Sequence, residues 1–260
     1  MGIKDRRTKI LLSLILLSDV NLGGVAFNDK LQRIFDLKLN QKTKGTISGL
    51  IKEGSIEKTH NQEQTQDGGV IQTNETNNQY RLTEKGFYHI CLKFPFFRFV
   101  KDTWDSKWRI LSYEIPEKKR EIRDRLRREV AGWGLGPWHR SFWLTPHPII
   151  ENLRELIYQQ EEEKYVQAFE SDHVVGQRDV LIEKVWQKST LEKKYRDIFK
   201  VWHDILSQNG EKLDKFSKII SLYVEILKND PGLPPELMGS NWIGFEAFKI
   251  YKEIRSILLA

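Results

Sequence analysis

The chain's 260 residues, 39% hydrophobic and 30% charged, have the composition of an ordinary soluble protein with material for one large core or two to three small ones. The single cysteine, Cys91, excludes an intramolecular disulfide and fits a reducing cytoplasm; within Ile90-Cys91-Leu92 it reads as a small core residue. The net charge of +6 is uneven: residues 1–100 hold 15 Lys and Arg against 10 Asp and Glu, so a basic face there could meet phosphates.

Lys4, Arg6, Arg7 and Lys9 precede the apolar run Ile10–Leu17 and imitate a secretory signal. The run is too short to span a bilayer and no small-residue cleavage site follows, so a buried helix over Arg6–Leu17 is expected. Gly23-Gly24 breaks the chain. Asn28 then caps a short helix with Leu31, Ile34 and Phe35 on its apolar side. Asn40 opens a further helix, Gln41–Glu53, whose apolar positions Ile47, Leu50 and Ile51 are expected on one face, with Lys42, Lys44, Gly45, Ser48 and Lys52 outward. Gly54 ends it. Strands are expected at Ser55–Thr59 and Gln79–Thr83, joined by the polar stretch His60–Asn78, with Thr83 capping a helix from Glu84. Three helices, strand, long loop, strand and helix are the order of a winged helix-turn-helix.

The Phe-rich joint Phe94–Phe99 reads as a packing hinge. Beyond it come Trp108–Ile115 as strand, Glu117–Ala131 as helix, Arg140–Thr145 as strand and Ile149–Glu161 as helix, followed by elements at Tyr165–Glu170 and Val180–Trp186. That alternation implies a ferredoxin-like sandwich. Leu191–Leu206, Glu211–Lys228 and Phe245–Leu259 carry helical spacing, with Pro231, Pro234 and Pro235 at a turn. The expected fold class is α+β and multidomain: a winged helix-turn-helix DNA-binding domain over 1–99, a ferredoxin-like central domain over 100–187 and a helical C-terminal domain over 188–260.

Four motifs in order then carry a resemblance. They are Tyr80-Arg81-Leu82-Thr83-Glu84-Lys85-Gly86; the strand Trp108–Glu117 with its basic helix; Gly134–Pro146, containing Ser141-Phe142-Trp143-Leu144-Thr145-Pro146; and Asp230-Pro231-Gly232-Leu233-Pro234-Pro235-Glu236-Leu237 followed by Asn241-Trp242-Ile243-Gly244-Phe245-Glu246-Ala247. The chain resembles the PaaX-type transcriptional repressors, known for control of phenylacetic acid degradation. The resemblance implies a winged-helix DNA reader, a ferredoxin-like middle domain, a helical C-terminal domain, and a dimeric repressor released by a small effector, an aryl-acyl-CoA in the founding members. The middle domain is also similar to a small CRISPR-associated protein that holds DNA during spacer acquisition. The loop His60–Asn78 is longer and more polar than the family leads one to expect, and the effector does not carry over.

Gln41–Glu53 is the candidate recognition helix, since a helix fits the major groove. Gln41 and Lys42 could reach bases, Gly45 permits close approach, Lys44 and Ser48 suit phosphate or base contacts, and Arg81 on the wing strand suits a phosphate. An ordinary solvated face is the bland alternative. Helix Glu117–Ala131 holds Lys118, Lys119, Arg120, Arg123, Arg125, Arg127 and Arg128, but Glu121–Arg125 and Asp124–Arg128 are spaced for ion pairs. A salt-bridged face competes there with a nucleic-acid groove or an anionic-effector site. The rival to a regulator is a metal-dependent nuclease or nucleic-acid-holding protein on the central domain. It rests on Glu114, which stands where the CRISPR-associated relative would place an aspartate, and one carboxylate is a thin basis for a metal site. His60, His89, His139, His147, His173 and His203 show no ligand spacing. The Trp and Tyr residues at 133, 138, 143, 186, 195, 202, 242 and 251 suit core positions or an aromatic effector pocket. The expectation is therefore a cytoplasmic transcription regulator without enzymatic activity, metal or cofactor. Its partners are double-stranded DNA, a second copy of itself and a small effector such as an acyl-CoA, with no membrane contact and no effector residues assigned.

Overall fold

The computed structural model describes residues 3–18, 23–59, 79–100 and 103–260, without the Phe99 side chain, as mixed helix and sheet. They form two compact units, one of Met1–Ile90, Trp202–Glu225 and Tyr251–Ala260, the other of Cys91–Val201 and Ile226–Ile250.

In the first unit, α1 (Arg6–Leu17) starts where the Asp5 carboxylate accepts the Thr8 N–H at 3.0 Å. Every residue from Thr8 to Leu16 is buried, as an all-round apolar helix requires. The two-residue strand β1 (Val25–Ala26) comes next, too short to betray itself by alternation. α2 (Asp29–Phe35) is capped by Asn28 on Leu31 N and buries Leu31, Ile34 and Phe35. It stops at Asp36, whose φ of 47° is left-handed. α3 (Gln41–Lys52), β2 (Ile56–Thr59), β3 (Gln79–Leu82) and α4 (Glu84–Lys93) follow. β2 pairs antiparallel with β3 from Ile56↔Leu82 to Thr59↔Gln79, and β1 pairs with the other edge of β3. The expected loop His60–Asn78 lies outside the described residues. The later segments of this unit complete α1: the Tyr251 hydroxyl donates to Leu16 O at 3.1 Å, and Arg255 donates to Leu16 O at 3.2 Å and Ser18 O at 2.5 Å. These donors occupy carbonyls that a helix end leaves without an intrahelical partner. Trp202, Tyr223 and Tyr251 pack as a buried chain of rings, with centroids 5.4 and 5.0 Å apart.

In the second unit a 3-10 turn at Pro95–Val100 leads to β4 (Lys107–Tyr113), α5 (Arg120–Gly132), β5 (Gly136–His139), β6 (Phe142–Thr145), α6 (Ile150–Ile157), β7 (Val166–Asp172) and α7 (Arg178–Trp186). The sheet order is β5-β6-β4-β7, antiparallel throughout. Leu111, Tyr113, Trp143 and Val166 meet Leu126 and Val130 of α5 and Leu153 and Ile157 of α6 in one core. Of the stretch expected as a strand, Arg140–Thr145, residues 142–145 form β6, while Arg140 and Ser141 are the turn from β5, a strand the expectation lacked. Pro137 lies in β5, where an edge strand tolerates the missing N–H.

Four helices close the chain: α8 (Lys188–Ser207), α9 (Lys212–Leu227), α10 (Pro235–Met238) and α11 (Ile243–Leu259). The Asp-Pro-Gly run before α10 is a packing lock within the second unit. The buried Asp230 carboxylate accepts the Tyr195 hydroxyl at 2.5 Å and Gly232 N–H at 2.8 Å, while buried His147 donates Nε2–H to Pro231 O at 2.7 Å. At Gly232 φ is +62°, and an added Cβ would stand 2.2 Å from the Pro95 carbonyl. Among the described residues no helix is long and apolar enough to cross a membrane.

Candidate nucleic-acid interface

The α3 helix is built to show one face. Asn40 accepts the Thr43 N–H at 3.1 Å, and the Thr43 hydroxyl donates back to Lys38 O at 2.6 Å, fixing the tight entry from α2. Thr43, Ile47 and Leu50 are buried against the unit's core. Gln41, Lys42, Lys44, Gly45 and Ser48 are all exposed, so five of the six expected contact residues share the solvent side of one helix. Gly49, not singled out from the sequence, joins them, and a Cβ at Gly45 or Gly49 would meet nothing within 4 Å. Its signal was the i,i+4 spacing from Gly45. Ile51, expected on the apolar face, is 39% exposed. The buried stripe of α3 runs through Thr43, Ile47 and Leu50, and Ile51, 100° round from Leu50, falls at its edge. Lys42 and Lys44 make no ion pair among the described residues.

The sixth residue, Arg81, stands on β3 directly opposite Glu57 and forms an ion pair with it. Its charge is therefore already partly compensated. The far end of α3 is anchored: Arg7 of α1 pairs with Glu53, Lys85 donates to Glu53 O at 2.9 Å, and the Thr83 hydroxyl donates to Gly54 O at 2.6 Å. Burial pushes the Glu53 carboxyl up, but hydrogen bonds from Arg7 and Ser55 outweigh this and hold it below its ordinary value.

Four of the seven basic residues on and just before α5 are ion-paired, while Lys118, Arg127 and Arg128 make no ion pair among the described residues. Lys119 pairs with Glu161, Arg120 with Asp124 at 3.4 Å, Arg123 with Glu117 at 2.7 Å, and Arg125 with the buried Glu162 at 2.6 Å. Arg127 lies over the Trp143 ring at 5.9 Å. The pairs expected within the helix, Glu121–Arg125 and Asp124–Arg128, give way to these partners, two of which come from residues 161–162. Glu114 is exposed beyond β4, and among the described residues no group of three or more His, Cys, Asp or Glu side chains could hold a metal. Trp143, Tyr195, Trp202, Trp242 and Tyr251 are buried core residues, whereas Trp138 is exposed.

The sequence matches two family models, one described as the PaaX protein central Cas2-like domain over residues 101–182 and the other as the PaaX-like protein C-terminal domain over residues 186–260. No curated protein matches the chain. Among solved structures, "Uncharacterized protein Rv0674 from Mycobacterium tuberculosis" is similar with a TM-score of 0.47 at 14% identity, covering 96% of this chain and 97% of that one. The two matched domains together span more than half of the sequence, in the order in which the motifs occur: the chain belongs to the PaaX family.

Proposed function

We propose that this chain is a DNA-binding transcriptional regulator, a cytoplasmic homodimeric repressor that reads double-stranded DNA with α3 and lets go when a small effector such as an acyl-CoA binds. The observation that carries the reading is the exposed face of α3, with two glycines and two lysines that make no ion pair among the described residues. That face is presented by a helix entered through a tight turn and anchored at its far end. The order α1, α2, α3, β2, β3, α4, with β1 as third strand, supports a winged helix-turn-helix over the first 99 residues. The β-α-β-β-α-β order with β4 and β6 central supports a ferredoxin-like middle domain, and α8 to α11 a helical C-terminal one. Gln41 and Lys42 contact bases; Lys44 and Ser48 contact phosphates or bases; Arg81 contacts a phosphate; Gly45 lets the backbone approach. The chain performs no catalysis in this reading. Effector release requires that the form unable to bind DNA hold the effector more tightly, because equal affinity for both forms shifts nothing.

Lys42→Ala/Lys44→Ala is the direct test. Affinity for sites selected from a random pool and for random duplex should both fall, and the log–log salt slope should flatten by roughly 0.9 for each phosphate no longer neutralised. Unchanged affinity and slope in an anisotropy titration would remove α3 as the reader. Dimerisation is tested by light scattering on the full chain, with footprints expected over two half-sites about 34–36 Å apart. A monomer protecting one half-site would overturn the dimeric model.

A further inference from the structure

We infer that a second contact to DNA lies in the first unit, where a basic concavity at the turn between α2 and α3 holds one backbone phosphate of the duplex; this rests on the DNA-binding reading above. The concavity measures about 210 Å³, and its lining includes Lys4, Arg6, Lys9, Asp36, Lys38 and Asn40. Its floor is the buried Lys9, whose ammonium donates to Asp36 O at 3.0 Å and lies 3.4 Å from Asp36 Oδ2. The one acidic group in the lining, Asp36, meets Lys9 through a single carboxylate oxygen and stays exposed, so the hollow holds four cations against one carboxylate. Lys4, Arg6 and Lys38 make no ion pair among the described residues, so the lining keeps a net positive charge that Asp36 only partly offsets. Cations held this close repel one another, and an anion seated among them removes that cost. The α3 helix begins at the rim with Asn40, and its first turn carries no acidic residue, so the positive end of its dipole adds to the same field.

The position selects a duplex phosphate over a free anion. Asn40 lines the hollow, and Gln41 and Lys42, the proposed base-contacting residues, follow it immediately in the chain. A duplex whose groove receives the start of α3 carries its phosphates past that helix's N-terminus, where such contacts fix register without reading sequence. The test is a set of salt titrations of the full chain with duplexes selected from a random pool and with random duplex. It compares wild type, Arg6→Gln/Lys38→Gln, Lys42→Ala/Lys44→Ala and a control, Lys193→Gln/Lys194→Gln, that removes the same charge from exposed positions of α8. Arg6→Gln/Lys38→Gln should weaken selected and random duplexes by the same factor and flatten the log–log slope by about 0.9, with an unchanged melting temperature. An unchanged slope in this variant, beside a flattened one in Lys42→Ala/Lys44→Ala, overturns the phosphate site and leaves the recognition helix standing. Equal flattening in the control reduces the effect to net charge and overturns the site. Calorimetric binding of inorganic phosphate that Arg6→Gln/Lys38→Gln abolishes, with duplex affinity unchanged, assigns the hollow to a free anion and overturns the duplex contact. A wild-type chain that binds no duplex overturns both readings.

Discussion

At Gly86 an added Cβ would stand 1.9 Å from the Ser55 carbonyl oxygen, and that oxygen belongs to backbone held by Thr83 N at 3.2 Å. Neither partner can move without opening the junction between α4 and β2, so Gly86→Ala should cost about 2–3 kcal/mol, seen as a lower urea midpoint with an unchanged slope. The glycine ending the Tyr80–Gly86 motif is thus required by packing. A second residue-scale prediction concerns the buried pair around Pro231. Burial, with the charge of Arg98, pushes His147 down to about 3, while burial pushes Asp230 up to about 6. A histidine neutral when folded takes up its proton on unfolding, so its stabilisation is present above about pH 6.5 and is lost as pH falls towards 3, by roughly 1 kcal/mol per unit. Asp230 has the opposite sign: the folded state holds its proton more tightly, so stability is gained as pH falls from 6 to about 4. The two largely cancel between pH 6 and 4. His147→Gln removes one arm, and its stability relative to wild type should therefore improve steadily as pH drops from 6.5 to 4. A difference that stays constant with pH in denaturant melts would rule out a neutral buried His147.

On α3 the local rules and the proposed task pull apart. A glycine inside a helix costs about 1 kcal/mol relative to alanine, and Gly45 and Gly49 both have open space for a methyl group. Gly45→Ala/Gly49→Ala should therefore raise the melting temperature while weakening duplex binding, because the methyls hold the helix off the DNA. A stabilised variant with undiminished affinity would show that the glycines serve no close approach. Asn40→Ala, by contrast, removes the cap on Thr43 N and should cost about 1 kcal/mol, read as a lower urea midpoint. Elements of this kind were legible in the sequence because caps and periodicity are local: α1 runs over Arg6–Leu17 as expected, and α3 starts after Asn40. What was not legible depended on distant partners. β1 is two residues long and exists through β3, and β5 carries a proline that local propensity counts against a strand. The partners of Arg81 and Arg125, Glu57 and Glu162, are set by strand register and by packing on the 161–165 turn, neither of which spacing within one element reveals. The exposed face of α3 was legible; the compensation of Arg81 was not.

Across the whole molecule the first compact unit is discontinuous, taking in Trp202–Glu225 and Tyr251–Ala260 beside residues 1–90. A reading along the chain does not see this, because each segment has an ordinary amphipathic pattern of its own. The consequence falls on α1, whose buried surface runs all round it. Its last carbonyls, Leu16 O and Ser18 O, receive donors from Tyr251 and Arg255, more than 230 positions later, and Arg33 of α2 reaches Glu211 and Asp214 at 2.8 Å each. The exposed Arg33 pairs contribute little, whereas the donors onto α1 are at least partly buried and leave carbonyls unsatisfied when removed. Tyr251→Phe/Arg255→Ala should therefore cost about 2–4 kcal/mol of stability, from two missing donors at roughly 1–2 kcal/mol each. Hydrogen exchange should show faster opening of α1 in this variant, although the substitutions lie at the far end of the chain. Because α3 packs on α1, duplex affinity should fall at temperatures where α1 opens and recover on cooling. Exchange on α1 identical to wild type, with the faster exchange confined to residues 243–259, would show that the C-terminal helix does not support α1 and the α3 helix packed on it.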